Sequence, residues 1–253
     1  MPNGPATLAV DIGGTGLKAS VLDPLGAMMA DRVRIPTPYP LTPDKLVATL
    51  AELAKPLPPY DRVSVGFPGV VRNGKVLTAP HFVEVAGPGS ETSPELEAAW
   101  KGFDLAGTLA TALGKPTKAV NDADLQGAAV IAGHGLELVV TLGTGVGTGL
   151  YHDGVLAPHL EISHHPFRKD ETYDEQLGDV TRKRIGNKKW NRRVKIAIDT
   201  LDALLLYDHL YVGGGNSRHL DFDLGPNGTV VDNTAGILGG IKLWATGTPL
   251  ATG

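Results

Sequence analysis

The first strong signal in the chain is an apolar run, Leu8, Ala9, Val10 and Ile12, that ends in Asp11-Ile-Gly-Gly. It predicts a buried strand over Thr7–Ile12 and a tight turn after it. Two further strands are expected at 17–22 and 28–35, separated by the turn Asp23-Pro-Leu-Gly26. The proline-rich stretch 36–43 reads as a connection. From Asp44 to Lys55 the apolar residues Leu46, Val47, Leu50, Leu53 and Ala54 recur at helical spacing. A strand at 62–66 closes on Phe67-Pro-Gly69, and a helix at 104–113, a strand at 117–120 and an alanine-rich helix at 123–132 follow. Strands at 136–142 and 147–151 flank a second glycine-rich turn. A long helix at 194–207, a strand at 209–212 running into three glycines, and a helix at 235–244 complete the pattern.

This order predicts an α/β protein of two related lobes with a ligand cleft between them. A small lobe is expected over 1–120, with a C-terminal helix at about 235–253 packing back on it, and a large lobe over 121–234. Neither a sequence repeat nor a long linker marks the division.

Composition narrows the classes. A length of 253 residues with 42% hydrophobic content fits an ordinary globular protein. No apolar run approaches the roughly 20 residues that span a bilayer, and the first residues lack a basic region followed by an apolar stretch. There is no cysteine, which removes disulfides, thiolate zinc sites and cysteine nucleophiles. A cytoplasmic protein without membrane partners is expected.

The net charge of −4 is unevenly spread. Arg182, Lys183, Arg184, Lys188, Lys189, Arg192, Arg193 and Lys195 lie in one segment that contains none of the 27 acidic residues. Such a segment suits an anionic partner, since like charges without counter-ions repel one another.

The candidate chemistry sits at the glycine turns. In Asp11-Ile-Gly-Gly-Thr-Gly-Leu-Lys18, glycine lets backbone N–H groups approach phosphate oxygens. Gly13, Gly14 and Thr15 would line that approach, Lys18 would add a cation, and Asp11 would hold magnesium through water. Thr141-Leu-Gly-Thr-Gly-Val-Gly-Thr-Gly149 repeats the arrangement, with Gly143, Thr144 and Gly145 as the equivalent donors. One such loop is as compatible with a plain hairpin; two in one chain favour a polyanion. Between them, Lys118-Ala-Val-Asn-Asp122 places Asn121 and Asp122 at a strand-to-helix junction. There an Asp can accept a proton from an attacking hydroxyl, although Asn and Asp are also ordinary helix caps.

Asp11-Ile-Gly-Gly-Thr15, Asn121-Asp122, Leu142-Gly-Thr-Gly-Val-Gly147 and Glu161-x-x-His164 together resemble the ROK sugar kinases of the actin/hexokinase superfamily. Within that family the nearer likeness is to the polyphosphate-dependent glucokinases, including glucomannokinases that use polyphosphate or ATP. The resemblance covers about residues 7 to 245. It implies a ribonuclease-H-like actin/hexokinase fold, two α/β lobes with a central cleft. It further implies Asp122 as general base, with Asn121, Glu161 and His164 as hexose ligands. Pro68 and Gly69 would line the sugar site, and Gly213, Gly214 and Gly215 would lie by the nucleoside of ATP. The implied cofactor is Mg2+, with ATP, inorganic polyphosphate or both as phosphoryl donor.

Two departures from the family pattern matter. Its members commonly follow Glu-x-x-His with a cysteine-rich zinc loop, whereas this chain continues His164-His165-Pro166, so no zinc is expected. His81, in Ala79-Pro80-His81-Phe82, stands where these kinases often carry Asn, which leaves sugar choice open.

The basic segment then suits a polyphosphate chain, with Arg182, Lys183, Lys188, Lys189, Arg192 and Arg193 as its ligands. Trp190 reads as a packing anchor, and no aromatic platform suggests specific nucleic-acid binding. The expected activity is phosphoryl transfer to the 6-hydroxyl of glucose, with mannose a further acceptor to test. The alternatives are an ATP-only glucokinase, a non-catalytic sugar sensor on the same fold, and an actin-like or chaperone-type ATPase. The oligomeric state stays open, a homodimer included.

Overall fold

A computed structural model describes residues 4–231 and 239–244. They form two compact units, one of residues 4–129 with 239–244 and the other of residues 130–231. Among the described residues no helix is long and apolar enough to cross a membrane.

The first unit is built on strands β1 (Thr7–Ile12), β2 (Leu17–Leu22), β3 (Val33–Ile35), β4 (Arg62–Phe67) and β7 (Thr117–Asn121), with a small hairpin of β5 (Val71–Arg72) and β6 (Lys75–Val76). The five longer strands form a sheet in the order β3-β2-β1-β4-β7. The β3, β2 and β1 neighbours pair antiparallel, whereas β1–β4 and β4–β7 are parallel. Helices α1 (Pro43–Ala54), α2 (Pro94–Trp100), α3 (Leu105–Leu113) and α4 (Asp122–Ala128) accompany it. Burial follows from the pattern: Leu46, Leu50 and Leu53 of α1 pack with Leu8, Val10, Val63 and Val65 of the sheet in one apolar core.

The second unit repeats that topology. Strands β8 (Leu136–Leu142), β9 (Val146–His152), β10 (Val155–Leu156), β13 (His209–Gly213) and β14 (Gly228–Val230) are ordered β10-β9-β8-β13-β14. Again the first two pairings are antiparallel and the last two parallel. A two-stranded ribbon of β11 (Pro166–Arg168) and β12 (Glu171–Thr172) leads into α5 (Tyr173–Leu177), α6 (Asp179–Ile185) and α7 (Asn187–Leu205). Val194, Ala197, Ile198 and Leu201 of α7 bury one stripe against Leu138, Val140 and Val212.

Several sequence expectations shift. Of the strand expected at 28–35 only 33–35 forms, and Met28 makes a single bridge to Leu22. The helix expected to begin at 194 begins at Asn187, so the basic segment is itself helical, broken into α6 and α7 at Gly186 with φ +79°. α2 is a further helix beyond those expected, capped by Ser93 and opened by Pro94. The helix expected at 235–244 lies partly outside the described residues; its described part is α8 (Gly239–Lys242).

α8 joins the first unit by close backbone approach. A Cβ on Gly239 would lie 1.7 Å from the carbonyl oxygen of Leu125 in α4, and one on Gly240 would meet Ala9 and Ser64 at 3.1 and 3.3 Å. Ser64 Oγ donates to the Gly240 carbonyl at 2.6 Å, and Lys118 Nζ donates to the Leu243 carbonyl at 2.8 Å. Gly239→Ala is expected to lower unfolding free energy by about 1–3 kcal/mol, because α4 or α8 must move to admit the methyl group. Urea denaturation checks this, and an unchanged midpoint would count against the contact.

Candidate active site

The parallel registers bring the chemistry-bearing residues of the first unit to one sheet edge. Asp11 pairs with Gly66, and Phe67 pairs with Asn121, so β1, β4 and β7 end together. Ligands of open α/β sheets gather at such carboxyl edges. The loop after β1 turns through a Gly13 N–H donated to the Gly16 carbonyl at 3.0 Å. Its carbonyls are fastened from elsewhere: Thr37 Oγ1 donates to Gly13 O at 2.6 Å and Tyr39 Oη to Gly14 O at 2.8 Å. Burial and the nearby Glu84 carboxylate push the Tyr39 hydroxyl up to about 12, so it stays a donor. Thr15 is exposed at the tip. His81 packs against Gly14, where an added Cβ would lie 3.3 Å from its Cγ.

Asp11 and Lys18 face each other across the β1–β2 pair and form an ion pair, Nζ to Oδ2, at 2.7 Å. The magnesium expected at Asp11 would be held by that carboxylate through water, beside the Lys18 pair. One carboxylate with phosphate oxygens and water is a donor set that magnesium accepts, and the arrangement fits. No cluster of three or more His, Cys, Asp or Glu among the described residues is arranged to hold a metal by itself.

Asn121 ends β7 and caps α4. Its Oδ1 accepts from Ala123 N–H at 2.8 Å and its Nδ2 donates to the Gly69 carbonyl at 3.0 Å, so it ties β7 to the Pro68–Gly69 turn. Asp122 is the first residue of α4, its Oδ1 accepting from Ala123 N–H at 2.9 Å. Gly66 allows this approach, since a Cβ there would meet Leu125 Cδ2 at 2.9 Å and Asp122 Cα at 3.4 Å. A carboxylate in the first turn is also favoured by the helix dipole.

In the second unit the loop between β8 and β9 closes through Gly143 N–H to Gly145 O at 2.9 Å. The Gly143 carbonyl accepts from Asp179 N–H at 3.0 Å and from Asn216 Nδ2 at 2.9 Å. Asp174 Oδ1 accepts from Val146 N–H at 2.6 Å. Thr144 is exposed and borders a cavity of about 410 Å³ that is also lined by Glu171, Asp174, Glu175, Thr181 and Arg184. Of Gly213, which ends β13, and the two glycines after it, Gly214 has φ +85° and lies against Leu142, whose carbonyl oxygen a Cβ would meet at 2.3 Å. Gly215 faces open space.

Glu161 and His164 lie in the segment between β10 and β11. His164 is exposed, and Glu161 keeps 32% of its side chain accessible. Ser163 N–H donates to Glu161 Oε1 at 2.9 Å, Ser163 Oγ donates to the same oxygen, and His159 Nε2 lies 3.5 Å from Oε2. Burial works to raise the Glu161 pKa, but the hydrogen bonds from His159 and Ser163 outweigh it and hold the carboxyl at about 2. Sequence reading missed both partners; His159, 4% exposed at its side chain, carried no signal beyond standing two residues before Glu161.

The basic segment separates into held and outward groups. Arg182 and Lys183 pair with Asp179 at 2.9 and 2.6 Å, and Lys195 pairs with Asp199 at 2.8 Å. Arg193 donates to the Gln176 carbonyl at 3.2 Å, and burial followed by Arg168 lowers its pKa. The counter-ions thus lie just outside the run. Arg184, Lys188, Lys189 and Arg192 are exposed, with no ion-pair partner among the described residues; Arg184 donates to Thr181 Oγ1 at 3.2 Å. Trp190 is fully buried and donates to the Leu177 carbonyl at 2.7 Å, which makes it the expected anchor.

Comparison with known proteins follows the same lines. The ROK-family model matches residues 7–159. The chain belongs to the ROK family. This ROK-family chain is 30% identical, over 91% of its length and 88% of the relative's, to a polyphosphate glucokinase of Mycobacterium tuberculosis (strain CDC 1551 / Oshkosh). It is 36% identical to an N-acetylmannosamine kinase of Salmonella newport (strain SL254), over 59% of its own length and 48% of that protein. The crystal structure of an inorganic polyphosphate/ATP-glucomannokinase from Arthrobacter sp. strain KM superposes with a TM-score of 0.74 at 27% identity, covering 94% of this chain and 97% of that one. The ROK-family chain therefore has the expected actin/hexokinase-like α/β fold.

Glu161 yields a pH prediction. Its folded pKa of about 2 lies below the ordinary 4.5, so its contribution to stability is present above 4.5 and lost as pH falls through 2. Ser163→Ala removes one of the donors and is expected to move the Glu161 titration upward toward 4.5. Carbon-13 NMR of the carboxyl group reads the shift; an unmoved titration would mean that Ser163 does not hold it.

Proposed function

We propose that this ROK-family chain is a hexose kinase. It transfers the terminal phosphoryl group of inorganic polyphosphate or ATP to the 6-hydroxyl of glucose, with mannose as a second acceptor. The observation that carries the reading is the shared edge of the first sheet, where β1 carries Asp11 into the first glycine loop and β7 ends in Asn121, with Asp122 opening α4 directly after it. A phosphate-accepting loop and a carboxylate at one edge suit phosphoryl transfer to a hydroxyl. The family match and the polyphosphate glucokinase relative support the choice of a hexose acceptor and a polyphosphate or ATP donor.

In this reading Asp122 accepts the proton of the 6-hydroxyl as its oxygen attacks phosphorus in line. Asn121 holds the junction through the Gly69 carbonyl, while Glu161 and His164 hydrogen-bond sugar hydroxyls. Glu161, ionised by its own donors, is an acceptor throughout the neutral range. Magnesium, when bound, neutralises phosphate charge, and Asp11 would hold it through water. Gly13, Gly14 and Thr15 in one loop, and Gly143, Thr144 and Gly145 in the other, present donors to the phosphates. Gly213–Gly215 would border the nucleoside of ATP.

The outward cations refine the donor assignment. Lys188, Lys189 and Arg192 stand in the first two turns of α7, where cations oppose the helix dipole. A polyanion laid there relieves both that conflict and their mutual repulsion.

Two measurements test the reading. In a coupled assay of hexose 6-phosphate, Asp122→Asn is expected to lower kcat by about a hundredfold to ten-thousandfold with hexose binding retained; near-normal turnover would remove Asp122 as the base. Replacing Lys188, Lys189 and Arg192 together by Gln is expected to raise the polyphosphate KM about tenfold or more, with the ATP KM within about twofold. Equal losses with both donors would end the special role of this surface.

A further inference from the structure

The sequence reading treats Arg182 as one more polyphosphate cation, but its surroundings assign it another task. Only 12% of its side chain is accessible. Nη2 donates to Asp179 Oδ1 at 2.9 Å, Nη1 to Asn187 Oδ1 at 2.9 Å, and Nε to Asn216 Oδ1 at 3.1 Å. The guanidinium is thus committed to three side chains, a pattern that a planar five-donor group can make and a lysine cannot.

Asn216 is the centre of this arrangement. It is 5% exposed and follows directly on Gly213–Gly215, the glycines that end and follow β13. A guanidinium only donates, so the amide oxygen of Asn216 must face Arg182 and the amide nitrogen must face the Gly143 carbonyl. That nitrogen donates to Gly143 O at 2.9 Å, while the Asn216 backbone N–H donates to Leu142 O at 2.9 Å. Asp179, another of the three partners of Arg182, gives its own backbone N–H to the same Gly143 carbonyl at 3.0 Å. One arginine therefore holds both groups that hold one carbonyl.

We propose that Asn216, locked by Arg182 against Asp179, is the positioning residue of the second glycine–threonine loop. It turns the Gly143 carbonyl away from an incoming phosphate, and it joins the Gly213–Gly215 segment to that loop. The proposal rests on the kinase reading for its ligand and adds to it a residue that touches neither sugar nor phosphate. It also predicts that loss of Arg182 harms both donors, unlike loss of an outward cation.

The decisive variant is Asn216→Asp. It keeps shape and strengthens the pair with Arg182, but sets a carboxylate oxygen against the Gly143 carbonyl. Asn216→Asp and Arg182→Met are each expected to raise the KM for ATP and for polyphosphate about tenfold, with hexose affinity by titration calorimetry within about twofold. The Arg182→Met/Asn216→Asp double variant should lose much less than the product of the two single effects. Asn216→Ala should reproduce the loss with both donors, although no charge changes. Arg182→Met harming polyphosphate use alone, Asn216→Asp behaving as the parent, or independent effects in the double variant would overturn the proposal. Amide hydrogen exchange over residues 143–146 gives a readout that needs no turnover. Faster exchange in Asn216→Asp is expected even if the parent phosphorylates no hexose, which would sink the kinase reading alone; unchanged exchange would sink this one.

Discussion

A glycine-rich turn can receive an anion only if its carbonyl oxygens point elsewhere, and both turns in this chain meet that condition with borrowed donors. The first uses the hydroxyls of Thr37 and Tyr39 on the carbonyls of Gly13 and Gly14. The second uses the Asp179 backbone and the Asn216 amide on the carbonyl of Gly143. Glycine supplies the freedom to make the turn and equally the freedom to lose it. The fastening groups remove the second freedom, so the donors are oriented before a ligand arrives. Such preorganisation is what would give electrostatic stabilisation its advantage in the phosphoryl transfer proposed above.

The fold explains why the two turns are alike and their fasteners are not. Each sits at the same hairpin of the same five-stranded pattern, two antiparallel pairings followed by two parallel ones. Period and turn chemistry encode a hairpin locally, and the strands at 7–12 and 17–22 were legible to the residue. A fastener is not local. Thr37 lies 24 residues from its carbonyl and Asn216 lies 73 from its own, and neither has a pattern of its own in the sequence. The first unit draws its fasteners from the connection after β3, the second from the start of α6 and the turn that follows β13.

The same limit shaped the reading of charge. Eight cations in one window looked unpaired because Asp179 and Asp199 stand just beyond its ends. Helical geometry joins Asp179 to both Arg182 and Lys183, spacings of three and four residues that a linear count passes over. Once those are set aside, together with Arg193 on its carbonyl, the outward charge contracts to Arg184, which donates to the Thr181 hydroxyl, and to Lys188, Lys189 and Arg192 at the start of α7. The segment was legible as basic; which of its members are structural could be seen only after the helix break at Gly186 was fixed.

Glu161 carries the argument from backbone to side chain. Its motif was visible, but the physics of its carboxylate belongs to His159 and Ser163, one on each side of it in the chain. A carboxylate that waits for a sugar without donors would rise in pKa on burial and meet hydroxyls partly protonated. With donors in place it stays ionised and keeps acceptor capacity for the sugar proposed to bind there. The loops and the carboxylate therefore obey one rule: groups that never touch the substrate set the direction or charge of those proposed to touch it. The residues that a motif names are then half of a site, and the other half is found in what those residues are bonded to.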